Sequence, residues 1–217
     1  MRLSWKREIL ALGLLLAMTV IAIHYYSILP ERIPQHFNAQ GKTDEWSSKI
    51  GFFAMWGVYL IIPYLLLTLF PFFDPLKQKA GQKLKVFLFI RDLLLVAIGV
   101  LFVVNIVMAA GGRFGFDWLG MAIGMFLIIG GNYLPRVPRN WSFGVKNPWA
   151  LSSDFVWKKT QILGGWLIAA TGIAFIVFAL LGLDISIPVL AVIPVMIIIR
   201  IYSYIIYKKV GETQKVG

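Results

Sequence analysis

The 217-residue chain contains no cysteine and only two histidines, His24 and His36. The first absence excludes disulfides and thiol nucleophiles. The second excludes a histidine-rich metal site. Acidic residues are also scarce, ten against 21 lysines and arginines, and charged residues make up only 14% of the chain. A soluble domain carries about 25%. The chain also has no stretch of ordinary polar composition long enough for a separate soluble domain. What remains is apolar: 59% of residues are hydrophobic.

The apolar residues gather into long runs of membrane-span length. They predict spans over Ile9 to Leu29, Ile50 to Phe73, Val86 to Ala110, Phe116 to Leu134, Ile162 to Leu183 and Ile185 to Tyr207. These runs are too long for tilted barrel strands. Helices also satisfy their own backbone in lipid. The expected fold is therefore all-α: a polytopic six-helix transmembrane bundle forming one membrane domain over residues 1–217. The basic N-terminus is followed by no small-residue cleavage site, so the first run is read as a retained span.

Lysine and arginine set the orientation. Fifteen lie in the N-terminus, the Asp74 to Lys85 connection, the Pro135 to Thr160 segment and the tail. The opposite connections hold four: Arg32, Lys42, Lys49 and Arg113. Both termini are accordingly expected in the cytoplasm. This flanking pattern accounts for the net charge of +11, and no direct nucleic-acid binding is expected. The Gly111-Gly112 and Gly182 to Asp184 connections are short, which predicts antiparallel neighbours.

Two loops and a few intramembrane polar groups are the candidate sites. The outer loop, residues 30–49, is read as an ordered platform. Pro30 and Pro34 restrict it to extended and turn geometry. Asn38 and Gly41 suit a reversal. Trp46 suits the membrane interface. His36 and Asn38 would supply polar contacts to something outside, although a plain connector has the same composition. His36 with Asp44 or Glu45 is too thin a ligand set for a metal. The inner loop, residues 135–160, is basic and rich in aromatics. It reads either as a collar on anionic lipid or as a docking surface for a cytoplasmic protein. Asn147-Pro148 predicts a turn, and Ser152 a helix cap. No glycine-rich phosphate loop and no nucleophile–base pair is present, so catalysis and cofactors are not expected.

Within the spans, Arg91, Asp92, Asn105 and Arg200 are the notable polar residues. Such groups mark functional or pinning sites. Asp92 is too short to snorkel, and Arg200 on another helix is its expected partner, the adjacent Arg91 pointing about 100° away. The pair would be a static pin or a gate. Asn105 reads as interhelical glue. Pro63, Pro188 and Pro194 are candidate kinks. Gly120 and Gly124 predict close helix contact.

Taken together, the loops resemble the SdpI family of bacterial multispanning proteins. Leu29-Pro30 through Ile33-Pro34, then His36, Asn38, Gly41, Asp44 and Trp46, resemble the outer-loop domain of unknown function associated with that family. Gly131-Asn132, Leu134-Pro135, Asn140, Gly144 and Asn147-Pro148-Trp149, followed by Leu151-Ser152, Val156 and Trp157, resemble its C-terminal region. The resemblance implies a non-enzymatic immunity or signalling protein of the bacterial cytoplasmic membrane. The outer loop would face a secreted peptide toxin, and the inner loop a cytoplasmic regulator. Pro34, His36, Asn38, Gly41, Asp44, Trp46, Asn132, Asn140, Gly144, Asn147 and Trp149 would be the contact residues. Val145-Lys146-Asn147 stands where relatives often have glycine-isoleucine-arginine-threonine, so the match does not extend to an arginine-dependent contact. The competing reading is a small transporter or lipid-handling protein gated by the buried polar residues.

Overall fold

The computed structural model describes residues 5–37, 43–73, 80–112 and 116–216. Asn38 and Gly41 lie outside the described residues, as do the basic residues Arg2, Lys42, Lys77, Lys79 and Arg113. Among the described residues, six helices are long and apolar enough to cross a membrane. They are α1 (Trp5–Tyr26), α2 (Lys49–Phe73), α3 (Ala80–Ala109), α4 (Phe116–Tyr133), α6 (Asp154–Leu180) and α7 (Ser186–Val216). A short helix, α5 (Pro148–Ser152), lies between α4 and α6. Among the described residues the strands are those of one antiparallel hairpin, β1 (Arg32–Phe37) and β2 (Thr43–Ser48), between α1 and α2, and residues 137–147 form an irregular loop.

Large apolar side chains stay exposed along the outer helices. On α7 alone they include Ile187, Leu190, Ile193, Ile197 and Ile201. In water such a surface would drive aggregation, whereas in lipid it is the required solvent contact. The interior has two apolar centres. One packs Ala11 and Met18 of α1, Phe52, Trp56 and Leu60 of α2, and Leu95, Phe102 and Ile106 of α3 beneath Leu29 and Ile33. The other joins Val86 and Ile90 of α3 to Leu134, Val137, Val145, Trp157 and Ile199. Helix α3 supplies buried residues to both, and Leu67 of α2 also packs against the second.

Glycine sets the closest helix contact. A Cβ on Gly124 of α4 would lie 2.5 Å from the Gly172 carbonyl oxygen of α6, and one on Gly172 2.6 Å from that of Gly124. Gly131 and Gly165 repeat this reciprocal approach two turns away. Backbones this close maximise dispersion contact where no hydrophobic effect separates protein from lipid. The close contact expected at Gly120 is also present, against Ala179.

The helices run beyond the apolar runs at their polar ends. α1 starts at Trp5, four residues before Ile9, and α6 at Asp154, eight before Ile162. Ser153, one residue after the expected Ser152, caps α6 by accepting the Val156 N–H. Ser48 does the same for α2 through the Gly51 N–H. Asn147-Pro148 begins a helix rather than a plain turn: Asn147 is the cap of α5, and Pro148 occupies the first turn, where its missing N–H is harmless. Pro194 lies inside α7, whereas Pro188 falls in its first turn.

Candidate functional site

The outer platform is the hairpin. Buried Ile33 plugs it into the apolar centre of α1 to α3. Pro34 faces Trp46 across the strands, and the register then slips, so that His36 pairs with Glu45. The extra residue is Gln35, whose amide donates to the Met55 sulfur at 3.0 Å. A bulge of this kind bends the ribbon. His36 Nδ1 lies 2.6 Å from Asp44 Oδ1, and both side chains are well exposed. Trp46 is 55% exposed. Lys49 closes the base, its backbone N–H donating to the Glu31 carbonyl and its ammonium pairing with the Glu31 carboxylate at 3.1 Å.

The intramembrane charges assemble differently from the sequence expectation. Arg91 is fully buried and donates to Glu8 Oε2 at 2.7 Å, Thr68 Oγ1 at 3.0 Å and the Arg7 carbonyl at 3.1 Å. Its Nε and Nη2 both reach Asp92 Oδ1 at 2.9 Å. Tyr64 donates to Glu8 Oε2 at 3.2 Å and stands under the guanidinium. Asp92 therefore takes its neighbour Arg91, not Arg200. The Arg91 stem is long enough to fold back across the turn, and the helical offset of the two Cα atoms does not prevent the contact. Arg200 instead sits 5.9 Å from the ring of Trp149. Asn105 donates to the Leu101 carbonyl of its own helix at 2.9 Å, so that donor is spent locally rather than between helices.

The inner loop is a built structure. Asn140 is fully buried and makes four hydrogen bonds. It donates to the Pro138 and Phe143 carbonyls and accepts from the Ser142 and Phe143 N–H groups, at 2.7 to 2.9 Å. Gly144 follows with φ +117, and a Cβ there would meet Gln161 Oε1 at 2.9 Å and the Trp157 ring. Gln161 holds Val145 from both sides, accepting its N–H at 2.9 Å and donating to its carbonyl at 3.0 Å. Trp157 Nε1 donates to the Val137 carbonyl at 2.8 Å. Asn147 Oδ1 accepts from the Ala150 N–H and the Ser203 hydroxyl of α7. Arg139 pairs with Asp154 at 2.8 Å and donates to the Leu151 carbonyl. Lys146 donates to the Trp141 and Ser142 carbonyls. Trp149 packs edge-on against Tyr204. Asn132 is exposed, and its carbonyl accepts from Arg136.

Sequence reasoning missed Glu8, Thr68, Gln161 and Ser203. Glu8 and Gln161 fall one residue before the expected starts of their spans, so they read as loop residues. The available signal was their polarity immediately beside an apolar run. Ser203 and Thr68 sit inside spans, where a hydroxyl readily bonds its own helix and draws no notice.

These features define a multi-pass helical membrane protein with a strand hairpin at one face and an asparagine-pinned loop at the other. The SdpI/YfhL protein family model matches residues 136–207, and the domain of unknown function DUF1648 matches residues 13–62. The chain is 27% identical over 213 residues to Immunity protein SdpI of Bacillus subtilis (strain 168), covering 96% of this chain and 100% of that relative. The chain is thus similar to the SdpI/YfhL family in its later part and to DUF1648 in its earlier part. No solved structure matches the chain.

Proposed function

We propose that this protein is a non-enzymatic immunity protein of the bacterial cytoplasmic membrane, protecting the cell from a secreted membrane-active peptide. The observation that carries this reading is the end-to-end similarity to Immunity protein SdpI, which spans both loops and all six membrane helices. The basic residues of both termini and of the 135–160 segment support a cytoplasmic placement for them. The hairpin then stands at the outer face, where an arriving peptide first meets the bilayer. Its exposed Trp46 and the His36–Asp44 pair offer an apolar ring beside a polar edge, which suits an amphipathic peptide.

The inner-loop residues hold the fold of the loop: Asn140 donates to and accepts from its backbone, Asn147 Oδ1 accepts from it, and Gly144 allows its close approach to Gln161 and Trp157. What they present to the cytoplasm is Trp141, 54% exposed. That ring is the first contact to test for a regulator. The transporter alternative has less support, since the Asp92–Arg200 pair on which its gate would rest does not form.

The test is survival. Sensitive cells with and without the chain, at matched membrane levels, are challenged with secreted membrane-active peptides, beginning with the toxin countered by the Bacillus relative. Protection is expected, and Trp46→Ala should weaken it without lowering the amount of protein in the membrane. Equal killing across the panel would overturn the immunity reading.

A further inference from the structure

A groove of about 320 Å³ runs between α3 and α4. Its walls are apolar side chains, among them Leu93, Ala97 and Val100 on α3 and Ala122, Met125 and Ile129 on α4. One turn beyond Leu93, Phe89 of α3 stacks on Tyr133 of α4, with ring centroids 3.9 Å apart and planes 24° apart. Two cations lie at this end of the helix pair. Lys85 is exposed one turn before Phe89, on the same face of α3. Arg136 is exposed, with its guanidinium 5.7 Å from the Tyr133 ring.

The dimensions discriminate among occupants. From Leu93 to Leu101, helix α3 rises about 12 Å, close to half of the roughly 30 Å hydrocarbon core. A spanning peptide helix, or a helix of a second copy, would need the full thickness and a channel about 10 Å wide. The groove is one leaflet deep and near the low end of small-ligand volumes, about 300 to 1,000 Å³. It is apolar in the bilayer and basic only where the headgroup layer begins. Basic pockets between membrane helices on the cytoplasmic side suit anionic headgroups.

We propose that this groove is a specific site for an anionic phospholipid of the inner leaflet, with one acyl chain between α3 and α4 and its phosphate between Lys85 and Arg136. The leaflet assignment rests on the orientation proposed above; the site itself does not. The lipid would fill the seam between the helices, and α3 and α4 would lose a shared wall when it leaves.

The test is native mass spectrometry of the purified, delipidated full chain, titrated with phosphatidylglycerol or phosphatidylcholine of identical acyl chains. One phosphatidylglycerol adduct should form at about tenfold lower lipid concentration than the phosphatidylcholine adduct. The paired substitution Lys85→Gln with Arg136→Gln should remove that preference and leave phosphatidylcholine binding unchanged. Ala97→Phe with Ala122→Phe should suppress both adducts. Excess inorganic phosphate should not displace the bound lipid, because the acyl chain anchors it. Equal affinity for the two lipids in the unsubstituted protein would overturn the proposal. So would a preference that survives loss of both cations, or lipid displacement by phosphate alone. The charge pair lies on the surface, so that variant reports even if the filled groove fails to fold. Failure of this site would leave the immunity reading standing, since survival is measured independently.

Discussion

Arg91 reaches three helices from a single side chain: Glu8 and the Arg7 carbonyl on α1, Thr68 on α2, and Asp92 on its own α3. In a low-dielectric interior a lone guanidinium is prohibitive, and so is a carboxylate pair left without it. Arg91→Met should destabilise the folded state by about 3–5 kcal/mol, the range for stripping one partner from a buried ion pair. Unfolding in a detergent-denaturant titration reads this directly. Replacing Glu8 and Asp92 by Gln and Asn in the same chain should recover much of the loss, because the orphaned charges go with their partner. An additive response in that cycle would mean the three groups are not coupled. Gly144 makes a separate demand. At φ +117 an alanine is strained, and its methyl would press on Gln161 and Trp157. Gly144→Ala should cost about 1–3 kcal/mol, with Trp157 fluorescence shifting as the inner loop opens.

Helices α4 and α6 pair through small residues, unlike α1 to α3, which meet through large ones. The α4–α6 contact rests on Gly124 against Gly172 and Gly131 against Gly165, each with backbone where a side chain would go. Gly172→Leu should push α6 off α4 and lower the thermal midpoint in detergent. Gly13→Leu should not, because nothing lies within 4 Å of a Cβ built there. The α6–α7 turn carries a weaker device. Asp184 accepts the Ser186 N–H at 2.8 Å, and that bond holds its carboxyl below the usual carboxylate range. A lowered folded-state value stabilises the turn above the unfolded value, about pH 4, and the contribution fades as pH falls through the folded one. Asp184→Ala should therefore lower the neutral plateau of an unfolding curve slightly and flatten its acid limb, leaving stability at the lowest pH nearly unchanged.

Spans were legible in the sequence at this level because apolar length is a property of the run itself. Partner choice was not. Arg91 finds Glu8 across 83 positions, and no periodicity in either helix encodes that meeting. Pro30 and Pro34 marked the outer loop as extended, whereas the pairing of residues 32–37 with 43–48 and the burial of Ile33 against α1 to α3 had no signal in the sequence. The inner-loop residues stood out by type. Their work inside the loop became visible only once Gln161 and Ser203 were brought beside them.

At the scale of the whole molecule, the chain is two packed units sharing α3. The first unit is α1, the hairpin, α2 and the later part of α3, around one apolar centre. The second is α4 to α7, with the early part of α3 entering through Val86 and Ile90. The two family matches, residues 13–62 and 136–207, fall one on each unit. Helices inserted separately can associate afterwards in lipid, because each satisfies its own backbone first. A chain cut after Gly112 should therefore reassemble when both pieces are expressed together. The contact that must re-form is the seat of Val86 and Ile90 against Leu134, Val145 and Ile199. A tag on the first piece should recover the second from solubilised membranes. Changing Val86 and Ile90 together to alanine should lower that recovery severalfold while both pieces still insert. If the pieces reach the membrane intact but never copurify, α3 does not join two separately formed units, and the fold must instead be made in one continuous step.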